Sequence, residues 1–400
     1  MRSISLATFP FRRSALGSTL RRSMTQEPEA LALKRIGNTE AFLMGGCSIL
    51  LYILFTLFVH KDAVPVVSTV AFSLAFLVNY PHFMASYYIL YKENRHKLSS
   101  SVRYLWVSTI VPLVLLTLLV TAHLQSSTYL LGLAINIMFF TVGWHYVKQI
   151  FGCLVVSNIF KNFFYNAFER NIVLTNLYIL WAIAWVPANL YGTTFTFYGL
   201  SYTGLNITNY LHHALLLVGI QTVPLMLGKL ITFTLMAALL VTLSYIIYFH
   251  VIRYLQTKTF PHVAGILAFV SIYLWYVPLF SHPAYFYVIP FLHSLQYLAL
   301  VRVYATNKHI SEARDVGLPD EVNERATLSL LRFSLFTIVS GALLFWFVPH
   351  YLDMHKTTPL FSAPTFLISF ILFINIHHYF IDNIIWKKDN ELVRKYLFGR

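Results

Sequence analysis

Acidic residues and cysteine are both scarce in this sequence. Fifteen aspartates and glutamates stand against 29 lysines and arginines, which leaves a formal charge of +14 on 400 residues. The two cysteines, Cys47 and Cys153, lie inside apolar runs and suggest neither a disulfide framework nor a thiolate metal site. No phosphate-binding loop or nucleophile motif is present, so nucleotide-driven and hydrolytic chemistry are not indicated. Nor does a long basic cluster interleave with soluble structure, so the positive charge is not a nucleic-acid signal. Charged residues make up only 11% of the chain and hydrophobic ones 58%, and that imbalance sets the class.

Apolar runs of about 20 residues recur throughout, long enough to cross the ~30 Å hydrocarbon core of a bilayer as helices. The fold expected is therefore all-α, a polytopic transmembrane bundle of about ten spans. These are read at 41–60, 64–90, 103–123, 128–156, 171–190, 228–252, 263–280, 284–304, 328–348 and 361–386. The stretch 211–226, LHHALLLVGIQTVPLM, is weaker and reads as interfacial or re-entrant. Basic connections at 92–103, 161–170, 253–258, 302–325 and 387–400 alternate with uncharged ones at 124–127, 191–210 and 281–283. By the positive-inside rule both termini are cytoplasmic. Three parts follow: a basic tail over 1–40, the helical domain over 41–388 and a cytoplasmic tail over 389–400. The hydrophilic loop 305–327 is too short for a domain. The first 26 residues, rich in Arg and Ser and free of acid until Glu27, fit an organelle transit peptide, a disordered tail, or a start at Met24. The location implied is a bacterial inner membrane, or an organelle membrane if the transit reading holds.

Sixteen histidines are many for such a chain, and their depth is informative. His82 precedes Lys92 by about ten residues, and His293 precedes Arg302 by about nine. His377 and His378 precede Lys387 by a similar interval, and His145 lies about eleven residues before its run ends; at ~1.5 Å per residue all sit near mid-membrane. They fall on the second, fourth, eighth and tenth spans, which run in one direction. A single buried histidine often just satisfies a neighbouring polar group. A layer of them reads as a shared metal site, and nitrogen-rich donors suit Fe, Zn or Cu. Candidate ligands are His82, His145, His293, His377 and His378. Candidate supporting residues follow at helical spacing: Gln149 and Tyr297 four after their histidines, Asn79 and Asn375 three before, and Asp382 four after His378. Asp382 could orient an imidazole or pair at the interface with Lys387 or Lys388. Pro81 should kink the second span beside His82.

At these motifs the chain resembles the membrane-embedded, retinal-forming carotene oxygenases of the Brp/Blh type. Pro81-His82, His145-Tyr146, Phe291-Leu292-His293 and His377 with Asp382 match that family's ordered motifs, in four short patches. The resemblance implies a non-haem iron held by histidines and a carotenoid-like substrate. Tyr297 stands where the family has a further histidine, so His377 or His378 must complete the set, or water must. The function expected is an oxygenase or related redox metalloenzyme. Its cofactor would be Fe(II), with Zn or Cu as the other choices. Its partners would be membrane lipids, O₂ and a lipophilic carotenoid, terpenoid or lipid substrate. A metal-ion or proton transporter, or a haem protein, would use the same layer differently.

Overall fold

The computed structural model describes residues 34–217, 219, 227–316, 322–355 and 364–398. Residues 1–33, most of the basic N-terminal segment, lie outside these, as do 218 and 220–226 of the interfacial or re-entrant stretch. In chain order the main elements are α1 (Asn38–Phe58), α2 (Val64–Glu93), α3 (Val102–Leu124), α4 (Thr128–Ile159) and α5 (Ala167–Trp185). A hairpin of β1 (Thr194–Phe197) and β2 (Leu200–Thr203) follows, then α6 (Ile207–Leu216), α7 (Leu227–Thr257), α8 (Val263–Tyr276) and α9 (Ile289–Val316). The chain closes with α10 (Val322–Met354), α11 (Thr365–Ile385) and α12 (Glu391–Tyr396).

Among the described residues, eight helices are long and apolar enough to cross a membrane: α1–α5, α7, α10 and α11. The two further spans expected from sequence take other forms. α8 has 14 residues, about 21 Å of helix, short of the ~30 Å core. The run at 284–304 is interrupted, with a one-turn helix Pro283–Phe286 preceding α9, and α9 is diluted by buried polar residues such as Ser294 and Gln296. α9 also continues to Val316, so much of what reads as a loop at 305–327 is helix. The stretch read as a C-terminal tail carries α12, whose Val393 and Tyr396 are buried.

The most enclosed crossing helices are α11 and α4, with 67% and 56% of their apolar windows buried against 28% or less elsewhere. α4 packs on α11, α11 on α2, α2 on α9, and α9 back on α4. The four form a closed ring. α8 lies on α4, α10 on α2 and α9, and α7 on α5 at the periphery. Outward residues of α7, among them Phe233 and Val241, are apolar and exposed, a surface suited to lipid. Backbone polar groups are satisfied within each helix, as a lipid environment requires.

Two contacts organise the ends. Tyr198 and Gly199, both at positive φ, make the two-residue turn of the hairpin, which docks on α4 through an Asn136 Nδ2 bond to the Thr203 carbonyl at 3.0 Å. At the opposite end, Asn307 Oδ1 accepts from the Lys34 amide at 2.7 Å, while its Nδ2 donates to the carbonyls of Lys34 and Tyr396 at 3.1 and 2.8 Å. Residues 34 and 396 therefore leave the bundle on the same face.

Candidate metal centre

The site begins with an interruption in α2. Pro81 has no N–H, and its ring cannot follow the carbonyl of Leu77 in a regular helix. Residues 75–78 form a turn instead, and the helix restarts at Asn79 with the Tyr80 amide donating to the Ala75 carbonyl at 2.9 Å. His82 thus stands in the first turn of a new helical segment, wholly buried.

Around it the four-helix ring brings four imidazoles into a square. Ring-centre distances along the sides are 5.1 Å for His82–His293, 4.9 Å for His293–His145, 4.9 Å for His145–His378 and 4.4 Å for His378–His82. All four histidines are at most 3% exposed. One ring nitrogen from each can be chosen so that all four lie within 4.8 Å of one another. The Nε2 atoms of His145 and His293 face each other at 3.2 Å.

A second layer lies one turn further along the same helices. Ser86, Gln149, Tyr297 and Asp382 each follow a histidine of the square by four residues. Asp382 Oδ1 accepts from Ser86 Oγ at 2.7 Å and from Tyr297 OH at 3.2 Å, and the Ser86 and Tyr297 hydroxyls are themselves bonded. Gln149 Nε2 donates to the His293 carbonyl at 2.9 Å. Two layers matching at the same offset mean that α2, α4, α9 and α11 run in one direction. Asp382 Oδ2 lies 3.3 Å from His378 Nε2, without the angle of a hydrogen bond, and 3.8 Å from His145 Nε2.

Of the residues singled out from sequence, His82, His145, His293 and His378 meet, with Gln149, Tyr297 and Asp382 beneath them. His377 points elsewhere: its Nδ1 meets Tyr87 OH at 2.8 Å and its Nε2 the Val107 carbonyl at 2.8 Å. Asn375 bonds within its own helix, to the Ile371 carbonyl and Tyr379 OH. The Oδ1 of Asn79 is buried without a partner. Sequence reasoning passed over Ser86 and Ser294, whose Oγ meets His82 Nδ1 at 2.9 Å. The four-residue offset that selected Gln149, Tyr297 and Asp382 would also have selected Ser86. Two tyrosines hold the square from the sides, Tyr146 stacked on His293 at 4.1 Å and Tyr379 on His145 at 4.7 Å.

The donor set fits a metal ion. His82 Nε2, His293 Nδ1 and both nitrogens of His378 are buried without a hydrogen-bond partner. Groups left so carry a desolvation cost of about 1–3 kcal/mol each that a cation would offset for the inward-facing ones. The size agrees too. A square with sides near 4.8 Å puts ring centres about 3.4 Å from its middle; with the nitrogen ~1.1 Å out from its ring centre, inward-pointing nitrogens stand about 2.3 Å from the middle, so a contraction of ~0.2–0.3 Å brings them to the ~2.0–2.1 Å of an imidazole–metal bond.

Beside the square, a cavity of about 90 Å³ opens between α4 and α11, lined by Trp144, His145, Gln149, Tyr379, Asp382 and Trp386 among others. No family model, curated protein or solved structure matches this chain. The site's chemistry therefore rests on its own geometry.

Proposed function

We propose that this protein is an integral membrane metalloenzyme, an oxygenase acting on a lipophilic substrate, with His82, His145, His293 and His378 as its metal ligands. The buried square of imidazoles inside a bundle of apolar helices carries the reading. Fe(II) is the ion proposed, with Zn and Cu the others that four neutral imidazoles suit. When bound, such an ion supplies the electron transfer with which oxygenases engage O₂ and substrate. The chain's own residues do the rest. Ser294 fixes the ring of His82 through Nδ1, which directs its free Nε2 inward. Gln149 ties α4 to the backbone of His293, and Ser86 and Tyr297 hold Asp382 under His378. Tyr146 and Tyr379 close the sides against water. The cavity gives a substrate a way to His145 from lipid.

The resemblance to the retinal-forming carotene oxygenases favours the oxygenase class, and His378 is the residue proposed to complete the set where Tyr297 departs from that family. A haem between these rings is disfavoured, because side spacings of 4.4–5.1 Å leave no slot for a macrocycle. The deciding experiment is metal analysis of the purified protein, anaerobically reloaded with Fe(II), together with O₂ uptake in the presence of lipophilic substrates. About one equivalent of metal in the wild type, lost in His82→Ala, His145→Ala and His293→Ala, is expected. Folded wild-type protein that retains no Fe, Zn or Cu would end this reading.

A further inference from the structure

The cavity beside His145 has one wall that a hydrocarbon substrate would not need. Lys148 lines it, three residues beyond His145 on α4 and exposed at the protein surface. Among the described residues no carboxylate pairs with its ammonium group, whose recorded neighbour is the ring of Tyr178 at 5.6 Å. A cation at that depth is costly unless it is paired or reaches the interface. Reaching toward the interface brings it no protein carboxylate among the described residues. In that direction stands Lys387, half-buried, whose proton affinity is held below the ordinary lysine range by burial, then by Arg103 and Lys148. Asp389, the acid that acts on Lys387, is engaged by Arg103 at 3.2 Å. Asp382, at the deep end of the cavity, already accepts from Ser86 and Tyr297. Lys148 therefore stands at the rim of the cavity as a cation with no carboxylate paired to it among the described residues.

The adjoining part of the same wall is open. Gly152, four residues beyond Lys148 on the same helix face, lines the cavity, and a Cβ added there would meet nothing within 4 Å. A mid-helix glycine costs roughly 0.5–1 kcal/mol relative to alanine, so free space beside it with no tight packing to explain it points to an occupant. The volume limits that occupant. About 90 Å³ accepts a head group and a few carbons, not a whole long chain, which must continue into lipid.

We propose that this cavity binds the head of an anionic amphiphile, a long-chain carboxylate or alkyl phosphate, with Lys148 holding the anion, Gly152 leaving room beside it for the head group, and the first carbons directed toward His145. The chain leaves laterally between α4 and α11. His145 and Lys148 are about 4.5 Å apart along the helix axis, so the carbon presented to the metal centre lies a few bonds from the head. The site deepens the enzyme reading above and depends on it only for the chemistry, not for the binding.

The test uses the full chain in nanodiscs of phosphatidylcholine, with a fluorescent fatty acid displaced by palmitate, hexadecyl phosphate or hexadecanol. Wild-type protein is expected to bind at least one of the two anions about tenfold or more tighter than the alcohol, as a charge-assisted contact implies. The better competitor identifies the head group. Lys148→Gln should bring the anions to the level of hexadecanol, Lys148→Arg should restore the preference, and Gly152→Phe should exclude all three. Equal competition by the alcohol and both anions in the wild type, or a preference that survives Lys148→Gln, overturns the proposal. Metal content measured on the same samples separates the two claims. A metal-free wild type that still prefers anions through Lys148 removes the enzyme and keeps the site. A metal-loaded protein with no preference removes only the site.

Discussion

Adjacent histidines at 377 and 378 do opposite work. The difference follows from the ~100° turn between neighbouring residues on a helix. His378 faces the square, whereas His377 joins α11 to Tyr87 and to the Val107 carbonyl. His378→Ala is therefore expected to lose bound metal, and with it the stabilisation that the metal gives the folded protein. His377→Ala should keep metal and lose about 1–3 kcal/mol of stability, because it strands a buried carbonyl and a hydroxyl. Elemental analysis beside thermal unfolding in detergent checks both. For Asp382→Asn, which keeps an acceptor for Ser86 but puts an amide nitrogen in place of the carboxyl oxygen beside His378, metal affinity should fall about 10–100-fold, read by competition with a chelator. Much of this site was legible beforehand. Counting residues from the basic flanks put His82, His145, His293 and the 377–378 pair at one depth. The choice between His377 and His378 was not legible, because α11 is enclosed on nearly all sides and no polar face marks its orientation.

At the scale of elements, close approach between helices sets where His82 stands. Gly341 on α10 packs on Tyr80, and a Cβ there would lie 2.7 Å from the Tyr80 Cβ and 3.0 Å from its carbonyl carbon. Gly341→Val must push the α2 segment that carries His82, so metal affinity should drop although every ligand remains; Gly152→Ala, facing open space, should leave it unchanged. Metal titrations of the two variants side by side test this. The long spans α1–α5, α7, α10 and α11 were readable because hydropathy alone specifies them. α8 and α9 were less so, since a helix shielded by others can be short or can carry Ser294, Gln296 and Asn307 without meeting lipid. The hairpin was missed for another reason. An uncharged connection drew attention to topology, although Thr-Phe-Thr-Phe, then Tyr198-Gly199, is an alternating strand followed by a two-residue turn.

Taken as a whole, the molecule ties residues 34, 307 and 396 together at one end and carries its hairpin at the other. The positive-inside rule predicts that the first end is cytoplasmic. A cysteine introduced at Thr196 should react with an impermeant maleimide added to intact cells, while one at Arg394 should react only after the membrane is opened; the reverse pattern would invert the topology. The layer beneath the square carries a consequence in time. Ser86 and Asp382, which share a hydrogen bond, are separated by 296 residues. At about 5–20 residues per second, a ribosome needs roughly 15–60 s to follow one with the other. The square that includes His82 stays open through that interval, because His378 arrives only with α11; the centre proposed above would therefore take up its metal after translation.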